Sequence, residues 1–223
     1  MHYTIAGEIA QFARLEFAPG ESVWLSKGAL MAYSDGVHWR PRMPGGLGGA
    51  VRRTLAGEGA TLTYAEAQGA GQFALIASDA PGHIATWNLA DGPVIATRGS
   101  FLAAWGQDID ISVIIARRAG AAFFGGAGLF LQRIAGQGTV LLYGSGDFEQ
   151  RDLGPDERLI VSTGNLAAFA DSVDYDIQTV GSLGRALFGG EGVFMTRLTG
   201  PGRVLLQSLK RGAGTSRSGG SGD

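Results

Sequence analysis

The feature that most constrains the fold is a glycine-punctuated pattern that recurs along the chain with constant spacing. Residues 19–21, Pro-Gly-Glu, are followed at 25–32 by an apolar stretch with a glycine inside it. The same element returns as Pro-Asp-Glu at 155–157 with the stretch 161–168, and a middle copy lies at 96–103. Because self-similarity at a fixed spacing indicates a repeated supersecondary unit, this pattern predicts an architecture built by repetition.

A second element alternates with the first along the chain. Residues 124–142 match residues 188–206 in register: Phe-Gly-Gly-x-Gly opens each copy, and a Gly-x-Gly step precedes an aliphatic run. A weaker copy runs over 57–75. Two elements that recur three times in one order predict three degenerate copies of one unit. The expected units are residues 1–80, 81–145 and 146–210.

Each unit has the pattern of β-strands. Residues 109–113 and 173–177 alternate apolar with polar side chains, which predicts strands with one buried face. The short apolar runs at 140–143 and 204–207 predict further strands. The sequence therefore predicts an all-β domain over residues 1–210, a sandwich or prism of antiparallel strands.

Glycine-rich steps mark the expected connections. The Gly-x-Gly steps at 136–138 and 200–202 lie between apolar runs, so we expect a hairpin reversal at each. Residues 41–49 are expected to form a glycine-rich excursion between strands. Helical periodicity is confined to what could be single turns at 119–123 and 183–188. The tail, residues 211–223, is rich in glycine and serine and is expected to be disordered.

Composition excludes several classes of protein. With 45% hydrophobic and 17% charged residues, the chain is globular and not disordered. The absence of cysteine excludes disulfides and thiolate chemistry, and fits a cytoplasmic location. Neither a secretory signal nor a membrane span is present in the sequence, so no integral membrane insertion is expected. The net charge of −2 gives no overall attraction for nucleic acid, which stays open only as an alternative partner.

The order and spacing of these elements resemble the mitochondrial-biogenesis (altered inheritance of mitochondria) family. The residues that carry the resemblance are 28–32, 81–84, 99–103 and the two Gly-Gly-x-Gly elements, and it covers residues 1–208. It implies a fold like the tryptophan RNA-binding attenuator protein, of double-stranded β-helix type, and a homo-oligomer, in particular a trimer. Eukaryotic relatives are associated with mitochondrial inner-membrane organisation, whereas bacterial relatives are of uncharacterised function.

Residues that invite a catalytic interpretation lack the partners it requires. His2, His38 and His83 have no ligand spacing for a metal. Ser78 and Asp79 lie near His83 in sequence, but a catalytic triad is defined by geometry and not by nearness along the chain.

Other chemistry-bearing patterns also favour structural roles. The glycine clusters lack the Lys-Ser/Thr of a phosphate loop. Glu21 and Glu157 occupy corresponding positions after a proline and are expected to serve a turn. We therefore expect no catalytic residue, no cofactor and no metal, and no enzymatic activity.

Five arginines are the candidate binding residues. Arg52, Arg53, Arg117, Arg118 and Arg185 each precede the glycine element of their unit. If the units are related by a pseudo-threefold axis, these side chains form a ring that could bind phosphates, anionic lipid or RNA. The alternative is that they are solvated, or pair across a subunit interface, which the acidic net charge favours.

Three functions remain open at this point. The first is a non-enzymatic assembly or scaffold protein that acts as a homotrimer, with a protein partner or an anionic ligand, in membrane or stress organisation. The second is a binding module for RNA or a small ligand, by analogy with the attenuator protein fold. The third, an enzyme with a pocket between subunits, has no nameable nucleophile or base.

Overall fold

The structure, a computed structural model, describes residues 1–44, 61–115, 130–179 and 194–211. Within these ranges the regular structure is antiparallel β-strand, apart from two single-turn 3-10 helices, Leu89–Asp91 and Thr163–Asn165, which confirms the all-β class. The arginines proposed as a binding ring lie outside the described residues. So do the single helical turns expected at 119–123 and 183–188, most of the glycine-rich excursion, and all of the tail after residue 211.

Strands follow one another at short intervals because polar and glycine residues interrupt each apolar run. Residues 1–80 contain β1 (His2–Ala6), β2 (Phe12–Phe17), β3 (Ser22–Leu25), β4 (Leu30–Tyr33), β5 (Val37–Arg42), β6 (Leu62–Ala67) and β7 (Gln72–Ala77). Residues 81–145 contain β8 (Gly82–Asn88), β9 (Val94–Thr97), β10 (Phe101–Ile115) and β11 (Phe130–Ser145). Residues 146–210 contain β12 (Phe148–Leu153), β13 (Arg158–Ser162), β14 (Leu166–Ala170), β15 (Asp174–Thr179), β16 (Phe194–Thr199) and β17 (Gly202–Gln207).

The same four antiparallel pairings occur in each of the three segments. In the first segment they are β2–β7, β4–β7, β5–β6 and β3–β6. In the third they are β12–β17, β14–β17, β15–β16 and β13–β16. In the middle segment, β8 and β9 pair with the two halves of β11, and β10 pairs along its whole length with β11.

One strand of each segment carries a β-bulge at a corresponding step. The register shifts between Leu30 and Ala32 in β4, between Phe101 and Ala103 in β10, and between Leu166 and Ala168 in β14. We call β4, the first part of β10 (residues 101–105) and β14 the bulged strands. The strands that precede them, β3, β9 and β13, are the leading strands. That the three segments descend from one triplicated unit, and resemble the attenuator protein, stays a prediction.

Two joints connect the segments into one ten-stranded sheet. At the first joint the leading strand β3 pairs with the bulged strand β10, and at the second joint β9 pairs with β14. A four-stranded sheet (β1-β2-β7-β4) and a three-stranded sheet (β13-β16-β15) contain the remaining described strands. The buried apolar side chains form three clusters: one combines residues of the four-stranded and ten-stranded sheets, one belongs to the ten-stranded sheet, and one combines residues of the ten-stranded and three-stranded sheets.

The prediction of hairpins at the Gly-x-Gly steps is wrong. Residues 136–138 lie inside the continuous strand β11, opposite Gly106 of β10. At 200–202 the chain passes from β16 in the three-stranded sheet to β17 in the ten-stranded sheet, and these two strands do not pair. The glycines instead permit close backbone approach at positive φ, because a Cβ at Gly138 would collide with the Trp105 carbonyl oxygen.

Candidate functional site

The five candidate arginines belong to three chain segments that each connect two paired strands. Each of the segments 45–60, 116–129 and 180–193 connects two paired strands, whose last described pairs are Arg42↔Leu62, Ile115↔Phe130 and Thr179↔Phe194. Arg52, Arg53, Arg117, Arg118 and Arg185 belong to these connections and lie outside the described residues. Their grouping into one surface stays a prediction.

Ser78, Asp79 and His83 do not assemble into a catalytic triad. The Ser78 hydroxyl bonds Asp79 at 3.3 Å, whereas His83 Nδ1 lies 2.8 Å from the Gly146 carbonyl oxygen and 3.3 Å from Asp147 Oδ1. His83 therefore fastens the start of β8 to the turn before β12. Among the described residues, no group of three or more histidine, aspartate or glutamate side chains is placed to hold a metal ion.

The turn role expected for the two repeat-equivalent glutamates is confirmed. Glu21 Oε2 accepts a hydrogen bond of 2.7 Å from the Ala18 N–H, and Glu157 Oε2 accepts one of 2.8 Å from the Gly154 N–H. Glu21 also receives the amino group of Met1 at 2.5 Å. Partial burial by itself would raise the pKa of the Glu21 carboxyl, but these donors outweigh it and lower that pKa below its ordinary value.

A cleft of about 380 Å³ opens at the first joint. Its polar lining includes the cationic side chains Lys27 and Arg98, the carboxylate of Asp79, and the nearly buried Gln132 and Tyr143. The Tyr143 hydroxyl is held by the carbonyl oxygens of residues 80 and 81, at 2.6 and 2.8 Å. The cleft is thus lined by two cationic side chains and one carboxylate, which is one net positive charge for an anionic ligand.

At the second joint, Arg211 occupies the corresponding region. Its Nη1 donates to the Arg98 carbonyl oxygen at 2.7 Å and to Ser100 Oγ at 2.6 Å, and its backbone N–H donates to Gly164 at 3.0 Å. The guanidinium carbon also lies 5.7 Å from the centre of the Tyr143 ring. The chain's own Arg211 therefore fills this region at the second joint, whereas no described side chain fills the cleft at the first joint.

Large apolar side chains are exposed on the first and third segments. Met31, Tyr33, Trp39 and Met43 lie on or beside β4 and β5, and Ile160 lies on β13. Soluble proteins bury most side chains of this size, and a cluster of exposed ones marks an interaction surface. The exposure of Trp39 agrees with its place between His38 and Arg40, beside the glycine-rich excursion. The exposure of Met31, Tyr33 and Ile160 could not be read from the sequence, because the corresponding Leu102, Ala104 and Ile95 are also apolar and are buried.

Comparison with known proteins gives a family to this arrangement of strands. A family model described as Mitochondrial biogenesis AIM24 matches residues 3–209. The chain belongs to this family. An uncharacterized protein of Streptococcus pyogenes serotype M6 is 30% identical over 204 residues, which cover 87% of this chain and 80% of that protein.

A solved structure shares the fold of this AIM24 family member. A crystal structure of a Streptococcus pyogenes protein superposes with a TM-score of 0.76 at 25% identity, covering 94% of both chains. The predicted family membership is thereby confirmed. In the described part of the chain, no helix is both long enough and apolar enough to cross a bilayer.

Proposed function

We propose that this AIM24 family member is a non-enzymatic, homo-oligomeric scaffold, most simply a homotrimer, that works in the cytoplasm. The observation that carries the proposal is the set of apolar side chains left exposed on β4 and β13. Met31, Tyr33 and Ile160 are 63%, 46% and 60% exposed, and burying such groups favours association. The description of the family as mitochondrial biogenesis supports a role in membrane or stress organisation.

Native mass spectrometry of the gently purified protein tests this proposal. Each chain has a mass of 23.1 kDa, so the homotrimer gives a species of three times that mass. Trimer without added mass supports the scaffold and directs the search to protein partners. A monomer at micromolar concentration contradicts it.

A second candidate function is the binding of a small anionic ligand or RNA. The cleft at the first joint favours this candidate, because Lys27 and Arg98 both line it. We expect Lys27→Ala to weaken the binding of inorganic phosphate or a short oligonucleotide, measured by isothermal titration. Lys210→Ala is the matched control, since Lys210 is the only other lysine of the chain.

The arginine ring is tested separately from the cleft. Replacement of Arg52, Arg53, Arg117 and Arg118 by glutamine removes four cations without touching the described strands. If the ring binds anions, this variant loses affinity for anionic vesicles and for an RNA oligonucleotide, and the salt dependence of binding becomes shallower. Unchanged binding contradicts the ring.

A further inference from the structure

The two joints of the chain are built in one register. At the first joint, Ala103 pairs with Leu25 and Ala104 with Trp24. At the second joint, the corresponding residues pair in the same way: Ala168 with Ala96, Phe169 with Ile95, and Ala170 with Val94. A bulged strand of one segment thus meets the leading strand of the segment before it, each time at the same step.

The bulged strand of the first segment has no such neighbour among the described residues. β4 is the edge of its sheet and pairs only with β7. Its bulge residue Met31 is 63% exposed, whereas the corresponding Leu102 and Ala167 are 2% and 0% exposed. The next residues, Ala32 and Tyr33, are likewise exposed. Their counterparts, Ala103, Ala104, Ala168 and Phe169, are fully buried.

The leading strand of the third segment, β13, also has a free edge among the described residues. β13 is the edge of the three-stranded sheet and pairs only with β16 in the described part of the chain. Ile160 on this strand is 60% exposed, whereas the corresponding Ile95 at the second joint is 4% exposed. Its neighbour Val161 points into the core and is buried, as are the corresponding Leu25 and Ala96.

We propose that β4 of one copy pairs with β13 of a second copy and so forms a third joint between chains. Carrying over the register of the two internal joints pairs Ala32 with Val161, Tyr33 with Ile160, and Ser34 with Leu159 of the second copy. This inference rests on the homo-oligomer of the proposed function, and it names the two surfaces that join.

The partner is a second copy because each chain carries both halves of the joint. β4 offers the free edge of a bulged strand and β13 the free edge of a leading strand, and these strand types already pair twice within the chain. The contact is heterologous, with different surfaces meeting, so copies join head to tail and close into a ring.

Cysteine cross-linking tests the register, since the natural chain contains no cysteine. Tyr33→Cys and Ile160→Cys are made in separate copies with different tags and co-expressed. Directly opposed residues of an antiparallel pair have Cβ atoms about 4.5–5.5 Å apart, close to the separation in a disulfide. After mild oxidation we expect a covalent dimer that contains both tags, and none from either variant alone. Both side chains are exposed, so the substitutions leave the fold of the chain intact.

The control combines Tyr33→Cys in one copy with Arg158→Cys in the other. Arg158 lies two residues before Ile160 on β13, so it is out of register with Tyr33 and should give at least tenfold less cross-link. Native mass spectrometry of the same unoxidised samples separates the two ideas. An oligomer without the 33–160 cross-link overturns the third joint and leaves the scaffold standing. A monomer overturns the homo-oligomer of the proposed function as well.

Discussion

The second joint and the two open edges contain corresponding residues in opposite surroundings. Phe169 and Ile95 face each other in the joint and are almost completely buried, whereas Tyr33 and Ile160 occupy the same positions on β4 and β13 and are exposed. The local sequence pattern is apolar in both places. Burial is therefore decided by whether a neighbouring segment supplies the partner strand, and not by the residues of the strand itself.

In the part of the chain that the structure describes, the open edges also lack the features that usually protect an unpaired strand. Edge strands are commonly blunted by charged residues, by proline, or by a covering element. β4 reads Leu-Met-Ala-Tyr without a charge, and β13 carries only Arg158 at its start. Such strands are suited to pair with a further strand. Their counterparts do so within the chain, where β10 pairs with β3 and β14 pairs with β9.

The largest effect is expected from the phenylalanine at the second joint. Phe169→Ala removes a fully buried ring and should lower the free energy of unfolding by about 3–5 kcal/mol, measured by urea denaturation. Tyr33→Ala at the corresponding open position should lower it by less than about 1.5 kcal/mol when the chain is monomeric, because it removes a half-exposed side chain and one hydrogen bond from Trp39 Nε1. The comparison is made in the Ile160→Lys background, which the proposed third joint predicts to be monomeric. Equal losses from the two variants would show that β4 is already covered within one chain.

A smaller effect is expected from the hydroxyl that fastens the second joint. Thr97 Oγ1 lies 2.7 Å from the Leu166 carbonyl oxygen and 2.9 Å from that of Ala167, and the residue is buried. Thr97→Val keeps the shape of the side chain but removes the hydroxyl donor from these two carbonyl oxygens, so we expect the free energy of unfolding to fall by about 1–3 kcal/mol. Ser162 holds the corresponding position on β13, and Ser162→Ala should cost less than about 0.5 kcal/mol. If Ser162→Ala lowers the free energy of unfolding as much as Thr97→Val does, the strand edge at β13 is as well packed as the second joint, which contradicts this account.

The smallest effect is a dependence on pH that arises at Glu21, on the turn before β3. Its pKa is lowered in the folded chain from an ordinary value of 4.5. The carboxylate therefore stabilises the fold above this ordinary value, and the contribution is lost as the pH falls through the lowered pKa. The stability difference between wild type and Glu21→Gln should thus be present at pH 6 and disappear in acid, as followed by thermal unfolding. Acetylation of the Met1 amine should reduce this difference at pH 6, and an acetylated protein with an undiminished difference would contradict the assigned cause.

Much of the fold follows from the sequence because strand patterns are local. The alternation at 109–113 and the aliphatic runs at 140–143 and 204–207 lie in observed strands, and the alternation at 173–177 lies in β15 from Asp174 onward. The Pro-x-Glu steps form the expected turns, because the carboxylate sits three residues from the N–H that it caps. Each of these features depends only on neighbours along the chain.

The features that the sequence did not reveal depend on contacts between distant segments. The Gly-x-Gly steps look like hairpins, but they are places where two backbones approach closely, and only the opposing strand shows this. The two joints differ because Arg211 fills the region at the second joint that corresponds to the cleft at the first. Arg211 does so by donating to the carbonyl oxygen of Arg98, which lies 113 residues away along the chain. Likewise, no local pattern distinguishes Ile160 from Ile95. The candidate arginines belong to connections outside the described residues, and their role stays a prediction.

The most direct test of the third joint is the native mass of two matched lysine variants. Ile160→Lys places a charge at the centre of the proposed contact, whereas Ile9→Lys places the same charge on another exposed isoleucine away from β4 and β13. Pairing between β4 and β13 predicts that Ile160→Lys runs as a 23.1 kDa monomer while Ile9→Lys keeps the wild-type oligomer. An Ile160→Lys protein that retains the wild-type oligomer would contradict it.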